Sequence, residues 1–345
     1  MGFELSREGL DRVLTELGES YLLYAPVLKV GEGRFTDTDV VRYDYVSSVE
    51  QIELAHKWDY AFKELLTPLS ETLFFFTENE CKVADAEARK VIVFLRACDL
   101  HAVKRLDQMY LANGPQEDWF YRRVRDRVAF ALIGCPESFD NCFCCSMDTN
   151  VAPEGWLFSL EQTDDGYRCV VADEQLTEVF AAQAVGEAAF EPAHVSANDT
   201  VVRVPESVPV AIYQHSMWDE YTARCIKCGR CTISCPTCTC YTMQDVFYTD
   251  NGCVGERRRV GASCMIDGYT NVAGGGQYRR TACERIRFKV LHKVHDFRKR
   301  FGYDMCVGCG RCDDICPEYI SFAACVNKLA DAVDALAAQE VSADE

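Results

Sequence analysis

CIKCGRCTISCP (225–236) and CVGCGRCDDICP (306–317) are two copies of one pattern, Cys-x2-Cys-x2-Cys-x3-Cys-Pro, and no other feature restricts this chain as strongly. Gaps of two residues wrap the backbone round one iron–sulfur cube, so the first three thiolates each hold a corner. The next turn points the fourth thiolate away, toward a second cube. The spacing assigns Cys225, Cys228, Cys231 and Cys316 to one [4Fe–4S] cluster, and Cys306, Cys309, Cys312 and Cys235 to another. Gly229, Gly308 and Gly310 permit close backbone approach and N–H contacts to sulfur. Paired Cys-x2-Cys elements also fit tetrahedral zinc. Zinc, however, leaves the third and fourth cysteines and the proline unexplained, twice over. The insertion 237–305 is longer than a compact ferredoxin uses.

The remaining cysteines are numerous. The chain has 21 in 345 residues. A chain of this length buries a core without disulfide staples. Its start, MGFELSREGLDRVLTEL, lacks the basic-then-apolar order of a secretory signal. Met1-Gly2 with Ser6 fits the short N-myristoylation pattern, a weak match. VIVFL (91–95) is far too short to cross a membrane. A cytoplasmic, reducing location is expected, where cysteine serves metal or redox chemistry rather than disulfides. The formal net charge is −18, which argues against nucleic-acid binding. Between Glu256 and Arg300, however, 12 Lys and Arg face 4 Asp and Glu, a local excess of 8. The run RIRFKVLHKVHDFRKR (285–300) reads as a helix with a solvated basic face. It also reads as an offset to cluster charge, or as a docking face for an acidic partner.

Residues 5–20 have the period of an amphipathic helix through Leu10, Val13, Leu14 and Leu17. Short strands and turns are expected over 21–50, and a helix over 50–68. RKVIVFLRACD (89–99) reads as a buried strand, HAVKRLDQMYL (101–111) as a helix and VAFALIGC (128–135) as a second strand, a parallel α/β unit. YRCVVA (167–172) is a further strand, and ESVPVAIY closes this part. The composition changes near 214–218. The expected organisation is α+β: an N-terminal α/β domain (1–215), a two-[4Fe–4S] ferredoxin-like domain with a long insertion (216–330), and an acidic tail (331–345). No Gly-x-Gly-x-x-Gly joins a strand to a helix, and there is no P-loop or serine elbow. Nicotinamide and flavin are therefore expected on another chain, and no residue is assigned as catalytic.

NCFCCSMDTN (141–150) packs three cysteines into four positions. Cys98 and Cys135 close the two predicted strands at the edge where α/β sheets place ligands. With Cys142 and Cys144 from the loop, they would make a third [4Fe–4S] site. Cys145 points away from Cys144 if the loop is extended. A further cluster from Cys238, Cys240, Cys253, Cys264 and Cys283 in the insertion is one reading; the favoured one is that some of them line the cluster cavity as small apolar residues.

RACDLHAVKRLDQMYL, DWFYRRVRD, CPESFDNCFCCSM, CIKCGRCTISCPTCTCYTMQD, SCMIDGYTNVAGG and CVGCGRCDDICP, in this order over roughly 90–320, resemble the iron–sulfur electron-transfer subunit of anaerobic sulfite reductase. They resemble more loosely the beta subunit of cytoplasmic sulfhydrogenases. The doubled Cys144-Cys145 departs from that pattern, which carries one cysteine there. The resemblance implies an iron–sulfur electron carrier. Its electrons come from a flavin- and NADH-binding subunit, and they pass to a sirohaem catalytic subunit that reduces sulfite. In the alternative, the partner is a nickel-bearing hydrogenase subunit. A catalytic thiol–disulfide reductase and a zinc-binding interaction module are the readings from other classes.

Overall fold

The computed structural model describes residues 1–34 and 37–343. Strand β1 (Gly2–Leu5) leads into helix α1 (Arg7–Gly18), whose Ser6 cap accepts the Gly9 N–H. Leu10, Val13, Leu14 and Leu17 form its buried stripe as the period requires. Strands β2 (Tyr21–Lys29), β3 (Val40–Val46), β4 (Ser70–Phe76), β5 (Cys81–Val83) and β6 (Lys90–Leu95) follow. Helices α2 (Ala97–Leu111) and α3 (Trp119–Arg125) then lead to β7 (Val128–Ile133), β8 (Phe158–Thr163) and β9 (Gly166–Val170). Helix α4 (Thr177–Ala181) and β10 (Ala184–Glu187) end this part.

Eight of these strands form one sheet, ordered β10-β1-β9-β8-β7-β6-β2-β3. Its middle, β2-β6-β7-β8, is parallel, and both flanks are antiparallel. Alternation along β6 divides the sheet's two cores. Ile92 and Phe94 join the α1 side, while Val91, Val93 and Leu95 join the side covered by α2 and α3.

The C-terminal part begins with α5 (Glu220–Arg224) and α6 (Arg230–Ile233), then β11 (Tyr241–Phe247), β12 (Gly255–Gly261), and the short ribbon of β13 (Asn271–Val272) and β14 (Gly276–Gln277). Helix α7 (Ala282–Leu291), with a Thr281–Glu284 capping box, runs through a π-turn (His292–Asp296) into α8 (Phe297–Phe301). Helices α9 (Arg311–Asp314) and α10 (Phe322–Ala343) complete the chain. The expected acidic tail is thus helical to Ala343, and residues 344 and 345 lie outside the described ones. A second sheet, β11-β12-β4-β5, takes strands from both sides of position 215. Among the described residues, no helix is long and apolar enough to cross a membrane.

Two expectations change. Residues 50–68 hold only short 3-10 turns, Val49–Gln51 and Phe62–Glu64, rather than a helix. Their backbone groups bond elsewhere: Glu53 N–H to Pro26 O, Asp59 N–H to Val41 O, and the Arg96 guanidinium to Leu54 and His56 carbonyls. ESVPVAIY, which closes the N-terminal part, ends in a 3-10 turn, Val210–Gln214, entered through Pro209. The basic run 285–300 is helical but not simply a solvated face: Arg285, Lys289 and Lys293 are buried.

Candidate iron–sulfur centres

Cys225 caps α5, and the chain then turns tightly through Lys227 (φ 59°) and Gly229 (φ 77°) into α6, which carries Cys231. Cys316 arrives from beyond α9. One cavity is lined by Cys225, Cys228, Cys231 and Cys316, with Met265, Ile286, Lys289 and Ile320 around them. The second run also touches this cavity through Cys312.

Cys235 neighbours Cys306, Cys309 and Cys312 electrostatically. Burial pushes the Cys306 thiol up to about 12 and the Cys309 thiol up to about 11. Cys235 is held well below the usual thiol range, first by a hydrogen bond with Cys238 and then, against burial, by Lys293 and Lys63. Iron binding to such thiols must displace their protons.

The strongest structural argument for anionic clusters comes from lysines. Lys63, Lys289 and Lys293 are 7%, 7% and 3% exposed. Lys293 donates to Thr237 Oγ1 at 2.7 Å, and Lys63 to the Thr232 and Cys238 carbonyls at 2.9 and 3.2 Å. Lys289 lies over the Phe322 ring at 5.3 Å. Burial would pull the Lys289 and Lys293 ammoniums down, yet both are raised, Lys289 by Cys231 and Cys312 and Lys293 by Cys235 and Cys238. A buried cation without a counter-ion costs several kcal/mol. Thiolate-bound cubes, which are net anionic, supply the missing charge, so the residues present fit the group.

The third expected site gathers five thiols. Cys135 follows β7, whereas Cys98 sits in the first turn of α2 rather than at a strand end. Cys135 neighbours Cys142 and Cys145, and Cys98 neighbours Cys309 and Cys144. Burial pushes the Cys144 thiol up to about 12. The Asn198 side chain accepts the Cys145 N–H at 2.8 Å and reaches Cys144 Sγ at 3.7 Å. The Arg96 guanidinium stacks between Trp58 and Phe139, 4.6 and 4.2 Å from their ring centres, and neighbours Cys135 and Cys98. Cys144 and Cys145 lie in a helical turn, not an extended loop, so strand alternation does not decide between them.

This loop is built onto the second run. Phe143 N–H bonds Gly308 O at 2.8 Å, Thr149 Oγ1 bonds Val307 O at 2.7 Å, and Cys142 Sγ lies 3.7 Å from Cys309 O. Beneath it, Arg311 makes two 2.7 Å bonds to Asp99 and one of 3.0 Å to Trp58 O.

Of the insertion cysteines, Cys238, Cys240 and Cys264 line a cavity with Tyr269, His292, Lys289 and Lys293. Cys240 and Cys264 hydrogen-bond each other. Cys253 bonds the Asn251 carbonyl and Cys283 the Thr281 hydroxyl. Among the described residues, no three His, Cys, Asp or Glu side chains converge on the spacing of a single metal ion. That spacing does not bear on a cube, which spreads its thiolates over separate corners. Sequence reasoning missed Lys63, Arg96 and the Asp99–Arg311 pair. Lys289 and Lys293 had a readable signal, because 285, 289 and 293 fall on one helical face.

Residues 224–320 match the family model described as a 4Fe-4S dicluster domain. The chain is a mixed α+β protein with this domain at its C-terminal end, and multiple [4Fe–4S] clusters are its cofactors. Over 337 residues, 92% of this chain and 95% of the relative, it is 29% identical to sulfhydrogenase 2 subunit beta of Pyrococcus furiosus. That name coincides with the alternative drawn from the sequence, and the sulfite reductase name finds no support in the comparison. No solved structure matches the chain.

Proposed function

We propose that this chain is the iron–sulfur electron-transfer subunit of a sulfhydrogenase-type oxidoreductase complex. The observation that carries the reading is serial order. The cavity of Cys225, Cys228, Cys231 and Cys316 opens at the surface, where Cys228 is exposed and Ile226 is 55% exposed. Cys312 touches that cavity and neighbours Cys235 and Cys309 of the second set. Cys309 in turn neighbours Cys98 of the third set. Bound clusters supply one-electron redox centres, and the chain's own part is to hold them in line, to shield the second from water and to balance their charge.

On this reading Cys225, Cys228, Cys231 and Cys316 ligate cluster one, and Cys235, Cys306, Cys309 and Cys312 ligate cluster two. Cys98, Cys135, Cys142 and either Cys144 or Cys145 ligate a third. Partner subunits follow from the relative's name. One that carries nickel for catalysis and one that binds flavin and NADH fit the missing dinucleotide fingerprint. A sirohaem partner is the second choice, resting on the sequence resemblance alone.

The test is iron and sulfide content of the anaerobically purified chain, with its EPR spectrum. Three clusters require about twelve iron per chain. A value near eight removes the third site, and an iron-free folded chain removes the whole reading. Nickel in the purified complex supports the hydrogenase partner, whereas a sirohaem absorption band supports the rival.

A further inference from the structure

The two cysteine runs are near copies, and two cubes in equal surroundings would reduce together. Their surroundings are unequal. Lys293 neighbours Cys235 and Cys306, with its ammonium fixed 2.7 Å from Thr237 Oγ1. Lys63 reaches in from the N-terminal part of the chain to the Cys238 carbonyl and neighbours Cys235. Lys289 stands between the sets, beside Cys231 on one side and Cys312 on the other. On the first set, Lys227 is neutralised by Asp267 at 2.6 Å and Arg230 faces solvent. Near the second set Asp99 is paired with Arg311, while Asp313, which accepts from Cys312 Sγ, Ser321 Oγ and the Phe322 N–H, is one carboxylate against the two ammoniums of Lys293 and Lys63.

We propose that Lys293 and Lys63 split the potentials of the two clusters, making the one held by Cys235, Cys306, Cys309 and Cys312 the first to accept an electron. This rests on the electron-transfer reading above. The electron adds negative charge to an already anionic group. Two fixed ammoniums in a water-poor interior favour that state more than mobile water favours it at the exposed set. Both lysines are positioning residues, acting on the cluster through space. With clusters bound, Lys293 and Lys63 would favour the first electron at the inner set and leave the exposed set to exchange electrons at the surface.

The experiment is an anaerobic redox titration of the holoprotein, followed by EPR, with iron counted in each sample. The native protein should show two separated one-electron waves for the ferredoxin-run clusters. Lys293→Met should lower the midpoint of the earlier wave only. At a fixed potential its reduced-to-oxidised ratio should fall about tenfold, equivalent to about 59 mV for one electron. Lys293→Arg should restore most of the shift, and Lys299→Met, on the exposed face, should leave both waves in place. Lys63→Met should move the same wave in the same direction, and decides the matter if Lys293→Met loses iron. Waves that stay put with iron retained, or that move together, overturn the proposal. Absence of iron from the native protein would instead overturn the electron-transfer reading.

Discussion

The two runs share spacing, a Gly-Arg pair and a following proline, yet one faces water and the other is roofed. In the first, position 227 is a lysine forced to φ 59°, with its amine paired to Asp267 in solvent. In the second, the matching residue is Gly308 at φ 63°, and a Cβ there would meet Phe143 O at 2.5 Å. Arg230 is exposed, whereas its counterpart Arg311 is 3% exposed and closes on Asp99, which is 0% exposed. The ligand pattern sets how a cube is gripped. What packs over the turn decides whether that cube meets the surface or the interior.

The largest expected difference lies at the arginines. Arg311→Met leaves Asp99 as an unpaired buried charge and should cost about 3–5 kcal/mol. Arg230→Met should stay within about 0.5 kcal/mol. Anaerobic denaturant titration measures both, and equal losses would end the contrast between roofed and open runs.

Next come the turn residues. Gly308→Ala drives a methyl group into backbone and takes a strained φ, so it should destabilise by about 1–3 kcal/mol and loosen the 141–149 loop. Lys227→Gly relieves the left-handed strain but gives up an exposed ion pair worth about 0–1 kcal/mol, so its net effect should be small or favourable. Thermal midpoints of the two variants should therefore move apart, and a Gly308→Ala protein as stable as the native one would show that the roof is soft. The smallest effect is kinetic. A chelator added to the oxidised holoprotein should strip cluster one at least about tenfold faster than cluster two, given the exposed Cys228. Aliquots are reduced before EPR, because the oxidised cubes are EPR-silent, and simultaneous loss of both signals contradicts that ordering.

Much of this was readable in the chain. The cysteine runs carry their own geometry, and the β6-α2-β7 unit follows from a β-branched run, a helical period and a second apolar run. The insertion of Lys63 beneath Cys238 was not readable, since nothing near residue 63 signals a cysteine more than a hundred residues away. The absent helix at 50–68 has a similar cause. Trp58, Phe62 and Leu66 keep a helical period and are buried, but Arg311 takes the Trp58 carbonyl and β3 takes the Asp59 amide. Of the three readings of the basic stretch, the docking face is narrowed for a related reason. Arg257, Arg259 and Arg298 are spent on Asp245, on Glu71 with Asp118, and on Asp304. A docking face read from their charge is therefore mostly committed within the chain.

Strand β4 pairs with β12 from Phe76↔Gly255 to Ser70↔Val260, and Thr72 and Glu256 are 184 positions apart. A ribosome adding about 5–20 residues per second takes about 10–40 s to cross that gap. For that interval Phe74, Phe75 and Phe76, which pair with β5 on one edge in the finished fold, lack the β12 partner of their other edge. Polypeptides released early, before residue 255, would keep that sticky edge permanently. In the cell, they are the species that chaperones and proteases would have to intercept.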